Sequence, residues 1–264
     1  MLQWTALFPL VPTTGGYCRH TGFMAIEPIS VSAPPLEGRV VASQRWSRVI
    51  FLHWRVPSSS LEGLLPPGVQ PDEHDGSSWV GLIAFALDRA SLLGGPPIAH
   101  FGAFAEVNVR LYVVDARGRR GVVFLSLEAS RLAAVLAARA AFSIPYRWSR
   151  TSTRELDGAL EYTASRHNGR GGSKIVARPG TTAVVGDPTA DFLTARWGLF
   201  TTRGGRTRFL PDEHEPWQLF TAELITLEDS LLELAGISGV ANRLPDSVLY
   251  SPGVTARFGR ESEI

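Results

Sequence analysis

The sequence predicts a mainly antiparallel β protein of the α+β class, with two or three helices outside the sheet. Polar and apolar residues alternate strictly from Glu106 to Val113, and a second alternating run returns from Val122 to Glu128. Further strand-like pairs flank the turn residues Leu156-Asp157-Gly158 and Gly204-Gly205. A chain of 264 residues that is 44% hydrophobic fits one large domain.

The amino end differs from the rest because it has no strand or helix period. We expect residues 1–44 to form a flexible extension, or a start wrongly placed before Met24, ahead of a single domain at 45–260. The apolar run Leu7 to Val11 is too short for a secretory signal or a membrane span. The only cysteine, Cys18, cannot form an intramolecular disulfide, so a cytoplasmic location is expected.

Charge and motif content restrict the partners. The formal net charge is +1, and no basic stripe with interleaved aromatics is present, so no nucleic-acid partner is expected. The glycine-rich run Asn168 to Gly172 lacks the spacing of a phosphate-binding loop and does not precede a helix. We therefore expect no cofactor and no membrane partner, but a small-molecule ligand; a homo-oligomer stays open.

The central hairpin carries a face of mixed polarity. Its first strand presents Glu106, Asn108 and Arg110 on one side. A symmetric hairpin would place Asn108 near Glu128 and Arg110 near Ser126. This face is either a solvated surface with weak ion pairs or the lining of a cavity inside a closed barrel. Periodicity alone does not decide between the two.

Helices are predicted at three places. Ser130 is a suitable N-cap for a helix from Arg131 to Phe142, which Pro145 prevents from continuing. Asp187 followed by proline predicts a short helix to about Arg196. Asp229 begins a third helix that ends at Gly236.

Histidines occur on a predicted strand and in two similar acidic segments. The predicted first strand, Arg48 to Val56, carries His53, which is either a hydrogen-bonded structural residue or a ligand-binding one. The segments Pro71 to Asp75 and Pro211 to Glu215 share nearly the same letters and come nearest to a metal site. Their consecutive acids point in different directions, and their histidines lack a second partner at helix or strand spacing. We therefore predict solvated turns and no metal.

Several motifs occur together in one order: LLPPGV, DGSSWVGL, EVNVRLYV, GVVFLSLEA, ARAAFSIPYR, FLTARWGLF, HEPWQL and YSPGV. They resemble a family of bacterial proteins known as DUF2071, or YqjF-like, over about Arg45 to Phe258. That family is grouped with the acetoacetate-decarboxylase-like fold, a β-rich closed barrel or cone with a buried polar cavity. The resemblance implies that the mixed face of the hairpin lines a pocket.

The chain departs from acetoacetate decarboxylases at the residue that carries their chemistry. In those enzymes a helix is followed by Gly-Phe-Pro-Lys-Lys, which supplies the Schiff-base lysine and its cationic neighbour. The matching run here is Phe142 to Arg147, with Tyr146 and Arg147 at the two lysine positions. The only lysine, Lys174, lies elsewhere. Schiff-base chemistry is therefore not implied.

The resemblance implies that Glu106 is a pocket glutamate, which we expect to act as a general base. Tyr146 and Arg147 would then stabilise a developing enolate. The residues expected to bind the ligand are His53, Asn108, Arg110, Glu128 and His214.

Two functions follow. One is a cofactor-independent acid–base enzyme of the lyase, isomerase or cyclase type, acting on a carbonyl or carboxylate compound. The other is a non-catalytic module that binds a small ligand. A buried cavity carboxylate with a perturbed pKa beside a cation would favour the enzyme.

Overall fold

The computed structural model describes residues 25–98, 103–132, 136 and 142–264. Within them, thirteen strands form one sheet. The strands are β1 (Ala42–Val56), β2 (Val69–Pro71), β3 (Ser78–Leu92), β4 (Phe104–Asp115), β5 (Arg120–Ala129), β6 (Tyr146–Leu156), β7 (Ala159–Arg166), β8 (Gly172–Ala183), β9 (Gly198–Arg203), β10 (Arg206–Glu213), β11 (Phe220–Asp229), β12 (Ser247–Phe258) and β13 (Ser262–Glu263). The helices are α1 (Pro188–Thr194) and α2 (Leu231–Leu234), with 3-10 turns at Ser58–Leu61 and Val240–Asn242.

Nearly all strand pairs are antiparallel, as predicted; β5 pairs in parallel with β6 and with β9. The pairing closes the sheet into two circuits that share the strands β12, β1, β3, β4 and β5. One circuit continues from β5 through β6, β7, β8 and β11 back to β12. The other continues through β9 and β10 to the same strand. The five shared strands are therefore a wall with each face covered by different strands.

Alternation along β4 divides its residues between the two sides of this wall. Val107 and Val109 are fully buried in the main hydrophobic core. Glu106, Asn108 and Arg110 face the other circuit, where they line a cavity. Of the two interpretations of this mixed face, the cavity lining is the one that the structure shows.

The predicted register of the central hairpin is wrong on both sides of its middle, and on the turn side Arg110 lies opposite Phe124 and not the predicted Ser126. A β-bulge at Leu125 interrupts the pairing of β5 with β4. One extra residue reverses which side chains face each side of the strand beyond it. Leu127 therefore lies opposite Asn108, in the place predicted for Glu128, and Glu128 faces the main core.

The helix signals have mixed outcomes. The Asp187 carboxylate accepts the N–H of Ala190 at 2.8 Å, which confirms the predicted N-cap of α1. The helix ends at Thr194, two residues earlier than expected. Most of the helix predicted at 131–142 lies outside the described residues, although Leu132, Leu136 and Phe142 have helical backbone. No helix in the described ranges is long and apolar enough to cross a membrane.

Part of the predicted amino-terminal extension can be described, and it packs against the sheet. The N–H of Glu27 donates to the Gly118 carbonyl at 2.9 Å. The Trp197 indole donates to the carbonyl of Ser30 at 2.8 Å. Residues 25–41 therefore follow the outside of the domain before β1 begins, whereas 1–24, with Cys18, lie outside the described residues.

Candidate functional site

The circuit that contains β9 and β10 encloses a cavity of about 90 Å³. Aromatic side chains form much of its wall, including Trp46, Phe51, Phe85, Trp217 and Phe258. A cavity of about 150 Å³ accommodates the six carbons of benzene, so this one suits a ligand of roughly four non-hydrogen atoms.

The polar part of the lining combines two carboxyl groups, two guanidinium groups, two amides, a phenol, an imidazole and an aliphatic hydroxyl. These side chains are Glu106, Asp212, Arg110, Arg196, Gln44, Asn108, Tyr146, His214 and Thr194. A few convergent polar groups inside apolar walls are typical of small-molecule sites.

Glu106 is the most enclosed acid of the cavity, with only 2% of its surface exposed. One carboxylate oxygen accepts the Tyr146 hydroxyl at 2.8 Å, and the other accepts the Asn108 amide at 3.1 Å. Burial raises the pKa of Glu106 to about 7, while the two hydrogen bonds act in the opposite direction. Near neutral pH this carboxyl therefore exists in both protonation states, as a general acid–base group requires.

Tyr146 reaches the cavity because it is the first residue of β6, paired with Leu127 of β5. Burial, and then the charge of Glu106, raise its pKa well above 10.0, so the phenol stays protonated and donates. Adjacent strand residues point to opposite faces. Arg147 is accordingly exposed and does not line the cavity, where the sequence analysis had placed it.

Arg110 lies opposite Phe124, not Ser126 as predicted, because the pairing between the turn and the bulge is displaced by two residues from the predicted one. Its Nε donates to the Tyr112 hydroxyl at 3.0 Å, and its Nη2 donates to the Leu193 carbonyl at 3.2 Å. These contacts fix the guanidinium but leave its charge without a carboxylate partner among the described residues. Arg110 can therefore attract an anionic ligand group.

His53 lies behind Tyr112 and does not line the cavity. Its Nε2 is 2.7 Å from the Tyr112 hydroxyl, and the imidazole is fully buried. Burial, followed by the charges of Arg110 and Arg196, lowers its pKa well below 6.5. The neutral imidazole therefore supports the tyrosine that holds Arg110.

Arg196 was not anticipated from the sequence, because it follows α1 outside any periodic pattern. It is 5% exposed, and its Nη1 donates to the Asp72 carboxylate at 2.6 Å. The guanidinium carbon lies 4.2 Å from the ring centre of Phe192. Its Nη2 is buried with no hydrogen-bond partner among the described residues, so it is available to a ligand.

The two similar acidic segments were predicted to be solvated turns, and this prediction is wrong for three of their side chains. Asp72 is 1% exposed, Asp212 7% and His214 8%. The N–H of Asp72 donates to the Tyr112 carbonyl, and that of Asp212 to the Trp197 carbonyl, so both backbones extend the sheet. Asp212 continues the period-two pattern of Leu210, a signal that could have identified it.

His214 lines the cavity among three tryptophans. Its ring centre lies 4.6 Å from Trp197, 4.8 Å from Trp217 and 6.1 Å from Trp46. Nδ1 is 2.6 Å from the Glu215 carbonyl, so it carries the hydrogen and leaves Nε2 as an acceptor. Burial lowers the pKa of His214, although the bond to Glu215 opposes this.

Glu128 was predicted to bind the ligand, but it does not line the cavity. It is fully buried on the other face of the wall, where Arg166 donates to one oxygen at 2.7 and 3.1 Å and Ser149 donates to the other. This ion pair joins β5 to β6 and β7. Lys174 also lies away from the cavity, with its Nζ 3.9 Å from Glu161.

In the ranges that the structure describes, no three His, Cys, Asp or Glu side chains converge as metal ligands. The polar groups that line the cavity are carboxyl, guanidinium, phenol, amide, hydroxyl and imidazole groups.

Comparison with known proteins agrees with the motifs. The family DUF2071, described as an uncharacterized conserved protein, matches residues 43–255. The uncharacterized protein YqjF of Bacillus subtilis (strain 168) is 30% identical over 221 residues, covering 83% of this chain and 88% of that protein.

Two solved structures are similar in fold. Acetoacetate decarboxylase from Legionella pneumophila has a TM-score of 0.62 at 13% identity, covering 88% of this chain and 91% of that one. The enduracididine biosynthesis enzyme MppR, complexed with pyruvate, has a TM-score of 0.58 at 13% identity, covering 86% and 91%. The chain therefore belongs to the DUF2071 family and has an acetoacetate-decarboxylase-like fold.

Proposed function

We propose that this chain is an enzyme that moves a proton on a small carbonyl or carboxylate compound, with Glu106 as the general base. The observation that carries the proposal is the Glu106 carboxyl, buried in a small cavity with a pKa of about 7. Catalytic acids and bases work best when their pKa lies near the working pH. A carboxyl that served only the fold would gain more from a guanidinium partner, as Glu128 has in Arg166.

The cations of the cavity supply the second requirement, stabilisation of developing negative charge. When Glu106 takes a proton from the carbon next to a carbonyl, negative charge moves to the carbonyl oxygen. Arg110 and the free Nη2 of Arg196 line the same cavity and are held by hydrogen bonds to other groups. Donors that are already in place stabilise such charge without a cost of reorganisation.

Tyr146 has a supporting role in this proposal. Its hydroxyl stays protonated and donates to Glu106, which favours the charged form of the carboxylate. Without that bond, burial alone would hold the carboxyl in its protonated, inactive form over more of the neutral range.

Two further observations support a carbonyl acid as the substrate class. The similar MppR structure is complexed with pyruvate, which is a carbonyl acid. Lys174, the only lysine of the sequence, lies outside the cavity, so activation of the carbonyl falls to the guanidinium groups and not to an amine. The reaction class proposed is therefore direct enolisation.

The test is deuterium incorporation into pyruvate, 2-oxobutyrate and acetoacetate in heavy water, followed by proton NMR. Wild-type protein should accelerate exchange of at least one compound over buffer, and Glu106→Gln should lower that rate by about 100-fold or more. Glu223→Gln is the matched control, because Glu223 is an exposed carboxylate paired with Arg178.

The proposal would be contradicted if Glu106→Gln and wild-type protein gave equal exchange with every compound. Tight binding of one compound without any exchange would favour the non-catalytic binding module instead.

A further inference from the structure

We infer that Asp212 is a second catalytic residue of the cavity, the acid that gives a proton to the ligand oxygen while Glu106 takes one from carbon. This inference rests on the proposed function and assigns the opposite end of the same reaction. The fold buries the Asp212 carboxyl without an ion-pair or hydrogen-bond partner among the described residues.

Asp212 lies near the end of β10, opposite Phe258 of β12, and lines the cavity. The side chain is 7% exposed. Among the described residues, no group donates a hydrogen bond to its carboxyl, and Arg110 is the one cation close enough to influence it. Arg110 forms no ion pair with it, because the guanidinium is directed to Tyr112 and Leu193.

A buried carboxyl without a partner is costly in its charged form. Such a carboxyl is therefore either protonated, or charged only when a bound ligand donates a hydrogen bond to it. Burial raises the pKa of Asp212 to about 8, and the nearby Arg110 charge lowers it by less. At neutral pH the group is mainly a carboxylic acid, which can donate one hydrogen bond into the cavity.

The surroundings of Asp212 favour a ligand oxygen as the acceptor of its proton. The titratable and charged groups that share the cavity with Asp212 are Glu106, Arg110, Tyr146, Arg196 and His214. A cationic ligand group would meet repulsion from the nearby Arg110. A carbonyl or hydroxyl oxygen would accept the Asp212 proton and would also be stabilised by that guanidinium.

The two carboxyls are not a pair that shares one proton. The two oxygens of Glu106 accept hydrogen bonds from Tyr146 and Asn108, and among the described residues no hydrogen bond joins Glu106 to Asp212. Two carboxyls with different surroundings can act on different atoms of one ligand.

The resulting step is a two-ended proton transfer. The carbon–hydrogen bond next to the carbonyl breaks and its proton goes to the Glu106 carboxylate. A carbon–carbon double bond forms, the carbonyl π bond opens, and the oxygen takes the proton of Asp212. The product is the enol, with no net oxidation or reduction. In deuterated solvent the proton now on the Glu106 carboxyl is replaced by a deuteron. Transfer of that deuteron to carbon, with return of the oxygen-bound proton to Asp212, gives the ketone with deuterium on carbon.

The test compares wild-type protein, Asp212→Asn and Asp212→Glu in the pyruvate exchange assay between pH 6 and pH 9.5. The wild-type rate should fall on the alkaline side with a midpoint near 8, because the acid must hold its proton. Asp212→Asn should lower the rate at pH 7 by about 100-fold and remove the alkaline fall. Asp212→Glu should keep the fall and recover part of the rate.

Far-ultraviolet circular dichroism and denaturant midpoints of the three proteins separate loss of function from loss of fold. If wild-type protein exchanges pyruvate and Asp212→Asn does so within twofold, with the same alkaline fall, the inference is wrong while the role of Glu106 stands. If wild-type protein exchanges none of the three carbonyl acids, the proposed function itself fails, and the role of Asp212 fails with it.

Discussion

The segments Pro71–His74 and Pro211–His214 carry the same four residues, Pro-Asp-Glu-His, in two different settings. In both, the aspartate N–H donates to a carbonyl of a neighbouring segment, and the side chain is buried. Asp72 meets two guanidinium groups, those of Arg120 and Arg196. Asp212 meets none at ion-pair distance within the described ranges and faces the cavity instead.

This difference shows that one short motif can have different surroundings, depending on the cations that the rest of the fold brings to it. The Asp72 carboxylate joins the end of β2 to the segment that follows α1 through Arg196. The Asp212 carboxyl faces the cavity and has no ion-pair partner among the described residues. Burial raises its pKa to about 8, so under the proposed function it can donate a proton at neutral pH.

The largest expected effect is a loss of stability on changing Asp72, the aspartate that forms ion pairs. Asp72→Asn removes the charge between two arginines, one of which is 5% exposed, so it leaves buried positive charge uncompensated. Breaking a buried ion pair from one side costs about 3–5 kcal/mol, which is the loss expected in the free energy of unfolding. Chemical denaturation measures it.

Asp212→Asn is the matched control. The same substitution in the segment Pro211–His214 removes a carboxyl that has no ion-pair partner among the described residues. It should leave the free energy of unfolding at pH 7 within about 1 kcal/mol of wild type or raise it. Equal losses in the two variants would break the comparison.

The next effect is the pH dependence of stability. The folded pKa of Asp212 is above its ordinary value of 3.8, so the folded state holds a proton that the unfolded chain releases. Its contribution to stability is complete below about pH 4 and is lost as pH rises to about 8.

Between pH 7 and pH 8, Asp212 should therefore lower the free energy of unfolding by about 1 kcal/mol, and Glu106 by less. Denaturant curves of Asp212→Asn should show a clearly smaller decline over that interval. A wild-type protein equally stable at both pH values would show that Asp212 is already ionised at pH 7.

The smallest effect concerns Tyr146. Its hydrogen bond lowers the pKa of Glu106, so Tyr146→Phe should move the acid-side midpoint of pyruvate exchange upward from about 7. Tyr250→Phe is the control, since Tyr250 is partly exposed and does not line the cavity. A midpoint that stays the same in both variants would mean that the phenol does not influence the base.

Alternation along β4 was sufficient to predict that Glu106, Asn108 and Arg110 share one face of the sheet, because period two is a property of every regular strand. Alternation did not predict that this face lines a cavity, which only the family resemblance implied. The same rule failed for Glu128, since a bulge at Leu125 reverses the faces of β5 and nothing in the local sequence marks it.

The cations were harder to predict than the acids. Arg147 was expected in the cavity because it matches one of the two lysine positions of acetoacetate decarboxylases, yet neighbouring strand residues face opposite sides. Arg196 follows a short helix and reaches the cavity only because α1, β9 and β2 come together. Such a position depends on contacts between residues far apart in the chain, which a local pattern does not contain.

The most direct test of the account is the ionisation of Glu106 itself. In protein labelled with carbon-13 at glutamate side-chain carboxyls, one resonance absent from Glu106→Gln should titrate with a midpoint of about 7. A midpoint near the ordinary value of 4.5 would contradict the account, because the carboxyl would then be fully charged at neutral pH and too weak a base for the proposed reaction.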